Sequence, residues 1–451
     1  MTPFSLLERL YGDGTTAEIF GESETIESWL AVERALAQAQ GEMGIIPAEY
    51  ADQIVTAATA QSIDPQRLWA EARNVGYPIL PLVRMIAECL ADGPDGCVHL
   101  GATTQDIMDT GLVLQMRRAL QRLAELTQAF GSGLAQLVRT HRGTVMAART
   151  HGQQAVPTTF GAKMAIFLQQ AIEVLDLIQR ARDKINALAL HGAAGTSAAL
   201  GPRSDLLRQH VAAILGLRSI ETPWHASRDI IWEFCQPYLR AVATTGRLAR
   251  EVADLARTEI AEVAEVGGHH RGASSTMPQK ENPILAEATL GFAIAATAAG
   301  SAIPRIMEVV HERAAGEWQA EWSTVSRVAY LGASAMSTAV ELISGLRVHA
   351  DTMTANIQRD HGLLMAEAYM IHLAPTLGRE AAHGLVYEAA TEARATNTEL
   401  FETLAKIAAS QQVLLPPQPL AAEDYLGQAR TISDDSVAAW SARARRTEDE
   451  R

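Results

Sequence analysis

At 451 residues the chain is too long for one hydrophobic core, so two or three sub-domains, or one long helical body with smaller ends, are expected. Hydrophobic residues make up 48% and aromatics only 5%, with alanine used heavily and Val-Ile-Thr runs scarce; this favours helices over sheets and predicts an all-α fold. A formal net charge of −14, with lysines and arginines scattered among acids, gives no footprint for a nucleic-acid partner, yet a small anionic substrate still fits a locally positive site.

The N-terminus, MTPFSLLERLYGDG, has neither a basic start nor an apolar core, so no secretory signal is expected and the cytoplasm is the default. Shorter helices are expected to about Gly111, giving an N-terminal region 1–111. Cys89, Cys97 and Cys235 lack the spacing of a disulfide framework or a zinc cage and read as buried thiols. In HLGATTQDIMDTG, from His99 to Gly111, Thr103 or Thr104 can cap a helix whose first turn holds Gln105 and Asp106. A plain capped helix and a functional segment are equally consistent with that stretch.

Five long amphipathic patterns follow, at about 112–138, 164–188, 237–266, 284–310 and 326–346. In the second, Leu168, Ala171, Leu175, Ile178, Ala181, Ile185 and Leu188 recur at steps of three and four. Together they predict an antiparallel bundle spanning 112–349. Between the first two lies ARTHGQQAVPTTFG, which places Thr150, His151 and Gln153 on a bend, with Pro157, Thr158 and Thr159 marking the next helix start. His151 there is suited to donate a proton near neutral pH, although a histidine alone on a bend also reads as a structural hydrogen-bonder.

The segment richest in chemistry is VGGHHRGASSTMPQKENPILAE, from Val266 to Glu287. Its glycines and small polar residues predict a mobile loop over 266–282, and Asn282-Pro283 makes a good N-cap and first-turn pair for the helix beginning there. A helix N-terminus with Lys280 beside it is suited to hold a carboxylate. An ordinary glycine-rich surface loop is the competing reading, weakened by the density of Ser274, Ser275, Met277, Pro278, Lys280, Asn282 and Pro283. His269 and His270 are adjacent, a poor arrangement for chelation, so no metal is expected.

The apolar stretch Ala288 to Pro304 is rather short for a membrane span and reads as a buried bundle helix whose small residues pack against sister chains. In HERAAGEWQAEW two tryptophans four apart predict an interface or core stripe. A C-terminal helical region occupies 350–451, interrupted by Pro, Gln and Gly at 415–428, and SARARRTEDER is expected to fray.

Taken together, SSTMPQKENP, ATTQD, THGQ and DYLGQA resemble the signatures of the fumarase/aspartase superfamily, across nearly the whole chain. The resemblance implies a three-region helical fold and a homotetramer whose active sites are each assembled from several chains. It implies that Ser274, with Ser275 beside it, is the base that removes the proton beta to the leaving group. Lys280 and Asn282 would stabilise the charge developing on the substrate carboxylate, and His151 would donate a proton to the leaving atom. Glu287, in the helix that follows, would orient and charge His151. Thr103, Thr104, Thr150 and Gln153 would bind substrate carboxylates, with Gln105, Met277 and Arg228 grouped with them, and no cofactor is required.

Ala273 stands where a second glycine is usual, which stiffens the loop slightly. ARNVGYPILPLV lacks the Arg-His-Asp run of adenylosuccinate lyases, whereas HERAAGEWQAEW, EDYLGQAR and PLVR resemble the 3-carboxy-cis,cis-muconate cycloisomerase branch. THGQ itself is lyase-like. The expected activity is therefore reversible β-elimination or addition on a polycarboxylate, most like that cycloisomerase. One alternative is a C–N lyase releasing fumarate from an N-substituted succinate of the adenylosuccinate, argininosuccinate or aminodicarboxylate type. The other, from a different class, is a non-catalytic crystallin-like homologue, against which the joint retention of Ser274, Lys280, Asn282, His151 and Glu287 argues.

Overall fold

A computed structural model describes residues 4–91, 93–313 and 316–449. The protein is all-α, and the five helices that answer the sequence patterns are Thr104–Thr140, Phe160–Ile185, Asp229–Leu255, Ile284–Gly300 and Glu317–Ser344. Their ends differ from the sequence patterns for identifiable reasons. Thr104–Thr140 begins well before Leu112 because its first turns bury polar residues, Gln105, Asp106 and Asp109, which break the apolar stripe. Asp229–Leu255 carries Pro237 in its interior rather than at its start. Ile284–Gly300 stops ten residues before the end of its pattern, at a glycine that lies against Leu239, whose side chain would be 2.4 Å from a Cβ at that position.

Three further expectations are corrected. The stretch around His151 is not a bend leading into a helix. It is a β-hairpin in which β1 (Val145–Thr150) pairs antiparallel with β2 (Gln153–Thr159), so Pro157 to Thr159 end a strand and the helix starts at Phe160. The C-terminal stretch is helical, Ala429–Asp449, with Glu450 and Arg451 outside the described residues. Of the three cysteines only Cys235 is buried; Cys97 is half-buried and Cys89 exposed.

Contacts group the chain into two compact units that cut across the three sequence stretches. The first draws on residues up to Thr127, Val174–Thr245 and Gly291–Ser337. One of its cores gathers Trp29, Leu30, Ile54, Leu68, Ile79, Leu82 and Ile107 from the N-terminal helices and the start of Thr104–Thr140. A second joins Val242, Phe292, Ala293, Ala296, Leu331 and Ala335, where small side chains let three long helices approach closely. Gly332 shows how close: a Cβ there would sit 2.9 Å from the Tyr238 ring.

The second unit draws on Gln128–Glu173, Gly246–Leu290 and residues from Thr338 onward. Its core packs Leu364, Tyr369, Leu385, Leu400 and Leu404 of the C-terminal helices against Ala147 of β1, which fixes the hairpin from below. A second short pair, β3 (Val263–Ala264) with β4 (Arg347–Val348), ties the chain just before the glycine-rich loop to the chain after Glu317–Ser344. The stretch Ile284–Ile306 is long and apolar enough to cross a membrane, with mean hydropathy 1.4. Leu285, Ala286, Ala288, Phe292, Ala293 and Ala296 along it are nevertheless buried in the protein, as expected of a core helix.

Candidate active site

The glycine-rich loop has a fastened base and an exposed crown. Ala273 and Glu281 form an antiparallel bridge, and the Asn282 backbone N–H and side-chain Nδ2 both donate to the Gly272 carbonyl at 2.8 and 2.9 Å. Gly272 has φ +68°, and a Cβ there would lie 2.6 Å from the Asn282 carbonyl oxygen, so only glycine fits without displacing the base. Outside the base, Arg347 donates to the Glu265 carbonyl at 3.0 Å and pairs with Glu281 at 3.3 Å, while Arg271 pairs with Glu341 at 2.6 Å.

Ser274 sits half-buried at the start of the crown. Its Oγ accepts the backbone N–H of Thr276 at 3.3 Å and of Met277 at 3.1 Å, with Thr276 Oγ1 at 3.4 Å. Two amides pointing at one hydroxyl oxygen stabilise negative charge on it. Ser275, Met277 and Lys280 are exposed on the same crown, and the Lys280 backbone N–H closes a turn onto the Met277 carbonyl at 3.1 Å.

The helix N-terminus downstream is already occupied. Leu285 N–H and Ala286 N–H donate to the Glu265 carboxylate at 3.0 and 2.8 Å, so Glu265 caps Ile284–Gly300 and the Asn282 side chain does not. That corrects the expectation of a free helix end awaiting a substrate carboxylate: the protein's own carboxylate is there. Burial pushes the Glu265 carboxyl up, against the two amides and Arg271, which pull it down; the neighbouring Glu287 adds to the rise. Glu287 itself is exposed in the first turn of the helix.

The second piece in the same unit is the hairpin. His151 (φ 53°) and Gly152 (φ 77°) are both left-handed, the geometry of a two-residue type I′ turn, which leaves His151 exposed at the tip. Thr150 and Gln153 face one another across the turn. A bulge between Ala148 and Arg149 turns the strand just below, where Arg149 forks onto buried Glu262 at 2.7 and 2.9 Å. Asn356 Nδ2 also donates to Glu262 at 2.8 Å, and Gln154 donates to the Asn356 carbonyl at 3.0 Å. The tip is therefore carried on a braced stem, beside an open cavity of about 320 Å³ lined by Gln153, Arg149, Arg257 and Arg359. Among the described residues no hydrogen bond or ion pair joins this tip to the Ser274 loop or to Glu287.

The remaining expected residues lie in the first unit. Thr103 and Thr104 are half-buried, and Asp106 Oδ2 accepts the Thr103 N–H at 2.9 Å, half of a capping box. Asp106 also accepts His191 N–H, Gly192 N–H and His225 Nε2, which makes it the organiser of this helix start. Gln105 is buried, donating to Asp109 and to the His225 carbonyl and accepting from Arg313.

Arg228 is 1% exposed, with its guanidinium on Asp109 at 2.7 and 3.1 Å and on Glu321 at 2.9 and 2.6 Å. Those bonds use its donors inside the protein, so Arg228 is the counter-ion of two buried acids and not a free substrate ligand. The sequence reading overlooked Arg313, whose guanidinium lies 5.8 Å from the Trp318 ring while it reaches Gln105. Trp318 and Trp322 pack on each other at 5.2 Å and on Tyr77; Trp318 is buried while Trp322 is 41% exposed, so of the interface or core stripe expected only Trp318 is core.

Residues 14–297 match a family model described as Lyase, and residues 362–435 match one described as Adenylosuccinate lyase C-terminus. The chain is 37% identical over 426 residues to 3-carboxy-cis,cis-muconate cycloisomerase of Pseudomonas aeruginosa, covering 93% of each chain. It is 33% identical over 444 residues to N-acetyl-S-(2-succino)cysteine lyase of Enterococcus italicus, covering 97% of each. The crystal structure of 3-carboxy-cis,cis-muconate lactonizing enzyme from Pseudomonas putida matches with a TM-score of 0.89 at 32% identity, covering 97% of this chain and 99% of that one.

Proposed function

The chain belongs to the fumarate lyase superfamily, and on that premise we propose that it catalyses reversible β-elimination and addition on a small polycarboxylate, with lactonisation of 3-carboxy-cis,cis-muconate as the leading reaction. The observation that carries the reading is Ser274 Oγ held by the amides of Thr276 and Met277. A serine is a weak base until its alkoxide is stabilised, and two amides near 3.2 Å supply such stabilisation within one turn of chain.

In the elimination direction Ser274 takes the proton from the carbon next to a carboxylate. The electron pair left behind delocalises into that carboxylate, and the bond to the leaving group breaks. In the lactone-forming direction the steps reverse: a substrate carboxylate oxygen adds to the double bond, and the Ser274 hydroxyl returns a proton to the carbanion. No second product forms. Lys280, exposed on the same crown, brings a cation to the developing dianion. Asn282 gives one of its two side-chain N–H donors to the Gly272 carbonyl, which holds the base of the loop and leaves the other for the substrate carboxylate.

The C–N or C–S lyase reading keeps two supports, the exposed His151 at the hairpin tip and the similarity to the succino-cysteine lyase. A leaving carboxylate is stable as an anion and needs no proton, whereas a leaving amine must be protonated as it departs. We take the assembly to be a homotetramer that completes each site from sister chains; the exposed Ile294 on the Ile284–Gly300 helix supports an apolar contact there, and light scattering tests it. One assay separates the activities. Loss of muconate absorbance without fumarate supports lactonisation, fumarate from an N- or S-substituted succinate supports the lyase reading, and silence in both refutes the proposal.

A further inference from the structure

The first unit holds a groove of about 1050 Å³ lined by five arginines, Arg117, Arg118, Arg122, Arg182 and Arg218. Two of these charges are answered by carboxylates: Arg122 pairs with Asp13 at 2.7 Å, and Arg118 pairs with Glu24. Arg117 and Arg218 are held differently. Arg117 Nη1 donates to the carbonyls of Leu215 and Gly216, each at 3.2 Å, and Arg218 Nη2 donates to the Asp183 carbonyl at 2.8 Å. Neither has a carboxylate partner among the described residues.

Capping the ends of the helices Ser204–Leu215 and Phe160–Ile185 explains one Nη group on each side chain. It does not explain the rest of either exposed fork, since Nε and the second Nη of both have no partner among the described residues. The two are close neighbours, because Arg117 grips Gly216, two residues before Arg218. Asn186 lines the same groove with a buried Oδ1 that meets no donor. With Asp13 and Glu24 counted beside Glu18, Glu125 and Asp183, the acids on and next to the lining equal the five arginines, so the pull on an anion is confined to the side of the groove that carries Arg117 and Arg218.

We propose that this groove binds a small molecule carrying two or more anionic groups, held by the open forks of Arg117 and Arg218. Carboxylate and phosphate oxygens both match a planar guanidinium fork, and their shared chemistry is what the groove recognises. None of the residues lining the groove is among those read as catalytic or substrate-binding.

The test is calorimetric titration of the whole enzyme with pyrophosphate and with tricarballylate, acetate serving as a single-charge control. Saturable binding of either polyanion, weakened at least tenfold in Arg117→Gln and in Arg218→Gln while turnover and melting hold, is the expected result. The probe that binds identifies phosphate or carboxylate chemistry. Arg117→Lys, which keeps the charge and loses the fork, should show most of the same weakening and guards against a folding defect in the glutamine variant. The proposal is overturned if neither probe binds up to about 10 mM, including because a sister chain covers the groove. It is equally overturned if affinity is unchanged in both variants, or if binding is lost in Lys280→Ala and kept in Arg117→Gln.

Discussion

Replacing Gly272 by alanine tests whether the shape of the loop base controls catalysis. At φ +68° an L side chain costs about 1–2 kcal/mol. The new Cβ would also meet the Asn282 carbonyl oxygen at 2.6 Å and the Asn282 nitrogen at 3.1 Å, both backbone atoms of the opposite stem, so the base must open. If that strain falls on the reactive form of the loop, kcat/KM should drop about five- to thirtyfold, at 1.36 kcal/mol per factor of ten. Gly268→Ala is the internal control, because its Cβ would meet only the Arg271 side chain at an ordinary 3.6 Å. Steady-state turnover of both variants, alongside denaturant melts, separates a loop effect from a folding effect. Wild-type kinetics in Gly272→Ala, or an equal fall in Gly268→Ala, would refute the reasoning.

Ser274→Ala should lower kcat by about 10²–10⁴ with an unchanged melt, and intact turnover would remove Ser274 from the mechanism. His151→Asn keeps a residue that tolerates the left-handed turn; release of an amine should fall by a similar factor while lactone closure is nearly unaffected, and equal losses on both substrates would contradict the leaving-group argument. Arg228→Met leaves Asp109 and Glu321 buried without their partner and should cost about 3–5 kcal/mol in denaturant melts; a rise in KM with unchanged stability would show instead that Arg228 serves the substrate. Burial first, then the charges of Arg208 and His225, push the His191 imidazole down to about 4. Its contribution to stability is therefore complete above its ordinary 6.5 and is lost as pH falls through about 4. Melts between those pH values should lose stability more steeply in the parent than in His191→Asn, and parallel slopes would rule the imidazole out.

Much of this was legible in the sequence because helices write themselves in steps of three and four. The pattern from Leu168 to Ile185 and the Asn282-Pro283 start placed two long helices closely. The rest depended on contacts between residues far apart in the chain. Glu265 caps a helix twenty residues downstream, and Arg228 meets acids 119 and 93 residues away. No local pattern encodes either pairing. The hairpin escaped for another reason: its strands carry Ala, Arg, Gln and Pro, with no clean alternation, and a bulge breaks the period. One signal was present, His151-Gly152, a pair able to adopt the left-handed turn much as Asn-Gly does.

The fastened base of the Ser274 loop limits how much disorder a substrate has to remove. With Ala273 bridged to Glu281, only the arc 274–280 is left to settle, and fixing a residue's backbone costs about 1–2 kcal/mol. The turn at Ser274 already organises the arc as far as Met277, and the ring of Pro278 restricts the next backbone angle. A second turn, from the Lys280 N–H to the Met277 carbonyl at 3.1 Å, encloses Gln279, so little of the arc's backbone remains to be ordered beyond the side chains of Gln279 and Lys280. A ligand offering a single well-placed carboxylate can supply that much on its own, so the rest of the molecule is free to vary. Such a catalyst would accept new leaving groups by reshaping its walls while the loop chemistry stayed as it is.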